Sequence, residues 1–135
     1  MKDVIEDVFT TITGFRGHKF AFTTDIEKMY RQILIESDQC DLLRILWKTN
    51  FDSEPTTYKL KTVTYGMSCA LFLAIRTLKQ LTIDENSRFP LTSEILLHDT
   101  YMDDIVSGCS TLEGAKELQR PLIEVMQSAG LKLHK

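Results

Sequence analysis

Two adjacent carboxylates, Asp103 and Asp104, stand between Tyr101-Met102 and Ile105-Val106. Tyr, Met, Ile and Val favour extended structure and Asp-Asp disfavours it, so residues 100–105 predict a β-hairpin with the aspartates at its tip. A tip of that kind holds both charges out on a rigid support. Hard divalent cations take oxygen ligands, and another carboxylate brought to the same place would complete a site for them. Phosphoryl or nucleotidyl transfer by two metal ions needs such a convergence, because the ions activate an attacking hydroxyl and brace the phosphate. Asp25 is the candidate, at the end of a predicted strand over residues 20–26. It lies 103 − 25 = 78 positions before Asp103, so only folding can join them.

Composition bounds what else the chain can be. With 135 residues, 43% of them hydrophobic, it holds one ordinary globular core. A net charge of −3 gives no general signal for nucleic-acid or membrane binding, which leaves any such role to local patches. Cys40, Cys69 and Cys109 are odd in number and form no C-x-x-C pair, against a disulfide framework or zinc site and in favour of a reducing compartment. No apolar run reaches the length of a membrane span, and the N-terminus lacks a signal-peptide core. The expectation is an intracellular, soluble chain without a membrane partner.

The elements that must position the carboxylates follow from periodicity. Val4, Ile5, Val8, Phe9 and Ile12 predict an amphipathic helix over residues 3–13, stopped by Gly14 and Gly17. After the strand carrying Asp25, residues 27–31 fit one helical turn and 32–35 a short extended run. Residues 42–48 and 56–64 predict an antiparallel hairpin around turn residues 50–55. Ser68 is placed to cap a helix whose core side is Leu71, Phe72, Ile75, Leu78 and Leu81, ahead of a polar loop at 84–87. Pro90 opens a short helix through Leu97, and the Asp-Asp hairpin follows. Ser110-Thr111-Leu112-Glu113 matches a capping box for a last helix with Leu118, Leu122 and Val125 on its apolar side, Pro121 as a kink or break and Gly130 as its C-cap. Residues 131–135 begin another extended run. This order is α+β, with helices packed on one antiparallel sheet.

Three stretches carry a resemblance. Tyr101-Met102-Asp103-Asp104 resembles the Y-x-D-D motif of reverse transcriptases. Thr24-Asp25-Ile26-Glu27-Lys28-Met29-Tyr30 resembles the first palm motif, an aspartate with an aromatic five positions on, and residues 63–74, with Gly66 leading into a helix, resemble the second. The wording of residues 25–30 and 72–81 is most similar to polymerases of Bel/Pao-type LTR retrotransposons.

The resemblance implies a polymerase palm with part of the fingers, a partial reverse transcriptase domain over residues 1–135. It implies RNA-directed DNA polymerase chemistry, with Asp25, Asp103 and Asp104 as the catalytic acids and two magnesium ions, or manganese, held by Asp25, Asp103, Asp104 and the backbone carbonyl of Ile26. Tyr30 falls where the family keeps a steric gate under the incoming sugar, Gly66 where backbone approaches nucleotide or template, and Met102 where a side chain touches the primer terminus. Lys132 or Lys135 falls near the family's late lysine beside the leaving pyrophosphate. The implied partners are an RNA or DNA template with primer, a dNTP and the rest of a Pol polyprotein; the implied setting is a cytoplasmic retroelement particle, with the nucleus as the other compartment open to it. Two positions depart from the family: Tyr65 stands where many relatives have glutamine and Leu71 where they have proline. The N-terminal fingers, thumb, RNase H, integrase and protease parts are not in this sequence, so the expectation is a fragment with little polymerase activity of its own, its basic duplex-gripping surfaces lying elsewhere.

Each feature also has an ordinary reading. Asp-Asp alone is a solvated turn, Asp25 alone a helix N-cap, and Tyr30 alone a half-buried aromatic. Arg44, Lys48, Lys59 and Lys61 read as solvated, with Lys59 and Lys61 open to phosphate contact. His18, His98 and His134 show no ligand spacing, and Cys69 and Cys109 read as small buried residues. The rivals are a non-catalytic retroelement remnant that binds a protein or nucleic acid, and an unrelated α+β metal-binding domain.

Overall fold

The strand that carries Asp25 alternates, and that alternation organises everything packed on it. A computed structural model describes residues 7–134; the first part of the predicted N-terminal helix, with Val4 and Ile5, and Lys135 lie outside the described residues. In β1 (Phe20–Ile26), Phe22 and Ile26 face the core, with Ile26 almost wholly buried. Successive side chains point to opposite faces, so Asp25 points away from that core.

β1 is the third strand of a four-stranded antiparallel sheet. It pairs along its length with β5 (Asp104–Cys109), from Phe20 opposite Cys109 to Asp25 opposite Asp104. β4 (Thr100–Tyr101) pairs with β5 through Thr100–Ile105 and Tyr101–Asp104, and β6 (Leu133–His134) lies on the far edge of β1. The order is therefore β4-β5-β1-β6. Four α-helices lie among the described residues: α1 (Val8–Arg16), α2 (Ala70–Glu85), α3 (Pro90–His98) and α4 (Leu112–Ser128). Ala74, Leu78 and Leu81 of α2, Ile95 and Leu96 of α3, and Leu122, Val125 and Met126 of α4 share one core with Ile26 and Ile105. Each fully buried Leu or Ile there contributes roughly 1.5–3 kcal/mol, and together they leave the opposite face of the sheet to the carboxylates. Among the described residues no helix is long and apolar enough to cross a membrane.

The α+β class and the main elements match the sequence reading, and the differences have local causes. Among the described residues there are two sheets rather than one: β2 (Arg44–Trp47) and β3 (Thr56–Lys59) pair there only with each other, and every residue in both is exposed. α1 runs through Gly14 to Arg16, and its apolar Val8, Phe9 and Ile12 are exposed rather than buried. The turn after β1 is a 3-10 turn at Met29–Gln32, another lies at Gln39–Leu42, and the predicted run 32–35 is reduced to one bridge, Leu34 with Thr62. Ser68 does not cap α2, which begins after Cys69 without a side-chain cap and extends into the predicted polar loop as far as Glu85; its Phe72 faces outward.

In α4 the cap is Thr111, whose hydroxyl accepts from the Gly114 N–H, one residue beyond the predicted Ser110. Pro121 neither breaks nor ends this helix. It does end at Gly130, with φ +72°, where the Gly130 and Leu131 N–H groups donate to Gln127 and Met126 carbonyls in a Schellman arrangement. Cys40 is the buried cysteine; Cys69 is exposed and Cys109 half-buried. Beneath the β4–β5 hairpin the Thr100 hydroxyl is buried without a partner. An unpaired buried hydroxyl costs free energy that a valine of the same shape avoids, so Thr100→Val is expected to raise stability by about 1 kcal/mol in urea unfolding.

Candidate functional site

The hairpin that carries Asp103 and Asp104 is tighter than its sequence suggests. Only Met102 and Asp103 separate β4 from β5, so Asp103 sits in the turn and Asp104 is already the first residue of the returning strand. Met102 has φ +57°, a backbone conformation that costs an L-residue roughly 1–2 kcal/mol. Two contacts hold it there: the Tyr101–Asp104 pair closes the turn, and the Ile26 N–H donates to the Asp103 carbonyl at 2.8 Å. The second contact ties the turn to the end of β1.

That register brings the three aspartates together. Asp25 and Asp104 are direct cross-strand partners, and such pairs place both side chains on one face with Cβ atoms about 5 Å apart. Asp103 follows at the tip. Burial, then the charges of Asp103 and Asp25, raise the Asp104 carboxyl above the ordinary aspartate range. Like charges at this spacing repel, and among the described residues no three carboxylate, imidazole or thiol groups gather tightly enough to hold a metal ion as they stand. What the three carboxylates share with a divalent-cation site is donor chemistry alone: oxygen acceptors and an excess of negative charge. Ile26 is buried beside them, with its N–H on Asp103.

Tyr30 reaches the same neighbourhood from the 3-10 turn after β1. Burial and then the Asp103 carboxylate raise its phenol above the ordinary tyrosine value, and Tyr65 adds to the shift. The Tyr30 and Tyr65 rings meet edge to face, centroids 4.8 Å apart at 87°. Gly66, the next residue, has φ +88° and open space where a Cβ would be, so its backbone can be approached closely. Met102 is 38% exposed at the tip.

On the other side of β1, the Lys132 ammonium lies 3.1 Å from Glu27 and holds that carboxyl below its ordinary range. Gln32 braces the segment, its carbonyl accepting from the Lys132 N–H and its amide donating to the Glu27 carbonyl. His134, in β6, is the residue that sequence spacing missed. It stands opposite Asp25 in register, with Nδ1 3.5 Å from Asp25 Oδ1. Only strand pairing reveals it, since no spacing rule links positions this far apart. Of the two lysines open to phosphate contact, Lys59 pairs with Asp41 of the 3-10 turn before β2, and Arg44 pairs with the same carboxylate. The chain matches no protein-family model and no curated protein sequence.

Proposed function

We propose that this chain is the palm segment of an RNA-directed DNA polymerase of a Bel/Pao-type retrotransposon, with Asp25, Asp103 and Asp104 as its catalytic acids. The observation that carries the reading is the β1–β5 register, which sets Asp25 opposite Asp104 with Asp103 in the adjoining turn. In this reaction the primer 3'-hydroxyl oxygen bonds to the α-phosphorus of a dNTP while the bond to pyrophosphate breaks. The three carboxylates would hold magnesium or manganese ions, which when bound lower the pKa of that hydroxyl and balance charge on the phosphate. Tyr30, beside Asp103 and buttressed by Tyr65, lies under the sugar and excludes a ribose 2'-hydroxyl. Met102 touches the primer terminus, and the exposed backbone at Gly66 receives nucleotide or template. The partners are a primed RNA or DNA template, a dNTP and the remainder of a Pol polyprotein, in a cytoplasmic particle.

A second reading, a non-catalytic fragment that binds a protein or nucleic acid, draws on the β2–β3 hairpin, where Leu46, Trp47 and Phe51 are exposed. Nucleotide binding separates the two. With magnesium present, dATP is expected to bind more tightly than ATP by roughly tenfold, the scale on which a pocket rejects one added group, and Tyr30→Ala is expected to erase the difference. Equal affinities in the wild type would remove the gate, and no cation-dependent nucleotide binding would favour the non-catalytic reading.

A further inference from the structure

The two tyrosine rings that meet edge to face are held by backbone, and one short stretch of antiparallel pairing ties both together. Tyr30 lies in the 3-10 turn Met29–Gln32, directly after the buried Met29, and packs on the core. The turn closes where the Ile33 N–H donates to the Tyr30 carbonyl at 3.2 Å. Beyond it, the Val63 N–H donates to the Ile33 carbonyl and the Ile35 N–H to the Lys61 carbonyl, each at 3.0 Å, with Leu34 bridged to Thr62 between them. Val63 is buried and leads into a second turn, where the Met67 N–H donates to the Thr64 carbonyl at 3.4 Å and Gly66 takes φ +88° at the third position. Positive φ there suits glycine and leaves the second position, Tyr65, at the corner. Tyr65 is 61% exposed, so its ring adds little to the core; what it touches is Tyr30, centroids 4.8 Å apart at 87°.

We propose that Tyr65 is a positioning residue for sugar selection: its ring holds the Tyr30 ring in one orientation, so the preference for a deoxyribonucleotide belongs to the pair and not to Tyr30 alone. The inference rests on the reading of Tyr30 as the group beneath the sugar. A wall excludes one added hydroxyl only while it does not yield. Tyr30 is half-buried, and a side chain of that kind moves between staggered orientations unless a neighbour blocks the alternatives. An edge-to-face partner is worth roughly two- to tenfold in such an equilibrium. The ring of Tyr65 supplies that contact, and its hydroxyl is dispensable for it.

The test measures dATP and ATP binding, with magnesium present, on the chain and on Tyr65→Phe, Tyr65→Gln, Tyr65→Ala, Tyr30→Ala and the double variant of Tyr30→Ala with Tyr65→Ala. The exposure of Tyr65 predicts that its variants keep the wild-type circular dichroism. Tyr65→Phe is expected to keep the roughly tenfold preference for dATP, whereas Tyr65→Ala and Tyr65→Gln reduce it to roughly threefold or less by admitting ATP. Adding Tyr65→Ala to Tyr30→Ala should change the ratio no further, as for one residue acting through the other. A residue that merely shaped its turn would weaken both nucleotides alike and leave the ratio unchanged. A preference that Tyr30→Ala abolishes but Tyr65→Ala leaves intact, or that Tyr65→Phe loses, would overturn the role of Tyr65 and leave the gate standing. Equal affinities in the wild type, or no nucleotide binding, would overturn both.

Discussion

If the proposed reading holds, replacing Asp25 by asparagine is expected to cut divalent-cation affinity by at least about a hundredfold, because it would remove a direct donor where even supporting groups are worth 10–100-fold. The readout is stability. A cation that binds only the folded chain adds about 1.4 kcal/mol at ten times its dissociation constant, and in Asp25→Asn that gain should fall close to zero at the same concentration. Without cation the acids should instead show their cost. Asp104 is raised by burial, by Asp103 and by Asp25, so its folded value lies above its unfolded one. Such a group stabilises the fold below the unfolded value, and that contribution is lost as pH rises through the folded value. Asp104→Asn lacks this loss and is expected to be the more stable chain at neutral pH, by a modest amount because the site is open to solvent. Glu27 and Asp41 are lowered and work in the opposite sense, so the quantity to measure is the difference between wild type and variant in urea unfolding from acid to neutral pH. Parallel curves would refute the repulsion.

Gly108→Ala is expected to destabilise the fold by roughly 3 kcal/mol, the upper end for overpacking. A Cβ at Gly108 would strike the Phe20 carbonyl oxygen and come within 2.8 Å of His18 Cβ and 2.9 Å of Ala21 Cα. Backbone atoms cannot rotate aside, so β1 and β5 would have to separate where they pair. The register that sets Asp25 opposite Asp104 depends on the same ladder, so the variant should also bind cations more weakly. Gly14 supplies the contrast. It lies inside α1 with nothing within 4 Å of the place for a Cβ, and Gly14→Ala is expected to gain about 0.5–1 kcal/mol through helix propensity. Urea midpoints that moved together in the two variants would contradict the steric account.

Local chemistry decided much of what could be read from the chain. Alternation defined the strand bearing Asp25, Pro90 opened its helix, Gly130 closed another, and Asp-Asp between extended residues marked a hairpin. These features depend on residues a few positions apart, which is the range of propensity, capping and turn preference. The same reasoning misplaced the caps at Ser68 and Ser110 by one residue each, since adjacent residues compete for a helix start on geometry that composition does not carry. It also assigned Phe72 to the core, where a broad apolar pattern on α2 left the buried side ambiguous.

Tertiary structure decided the site. Residue types alone marked Asp25, Asp103, Asp104 and Tyr30 as candidates, but strand pairing made Asp25 and Asp104 neighbours, lodged Met102 at positive φ and set Tyr65 against Tyr30. Pairing on the other edge of β1 brought His134 to Asp25 and Lys132 to Glu27. The physical reason is that a strand satisfies its backbone hydrogen bonds with whichever strand the packed core delivers. Sequence supplied the carboxylates and the extended runs that carry them; the fold supplied the register, and with it the side chains that stand around them.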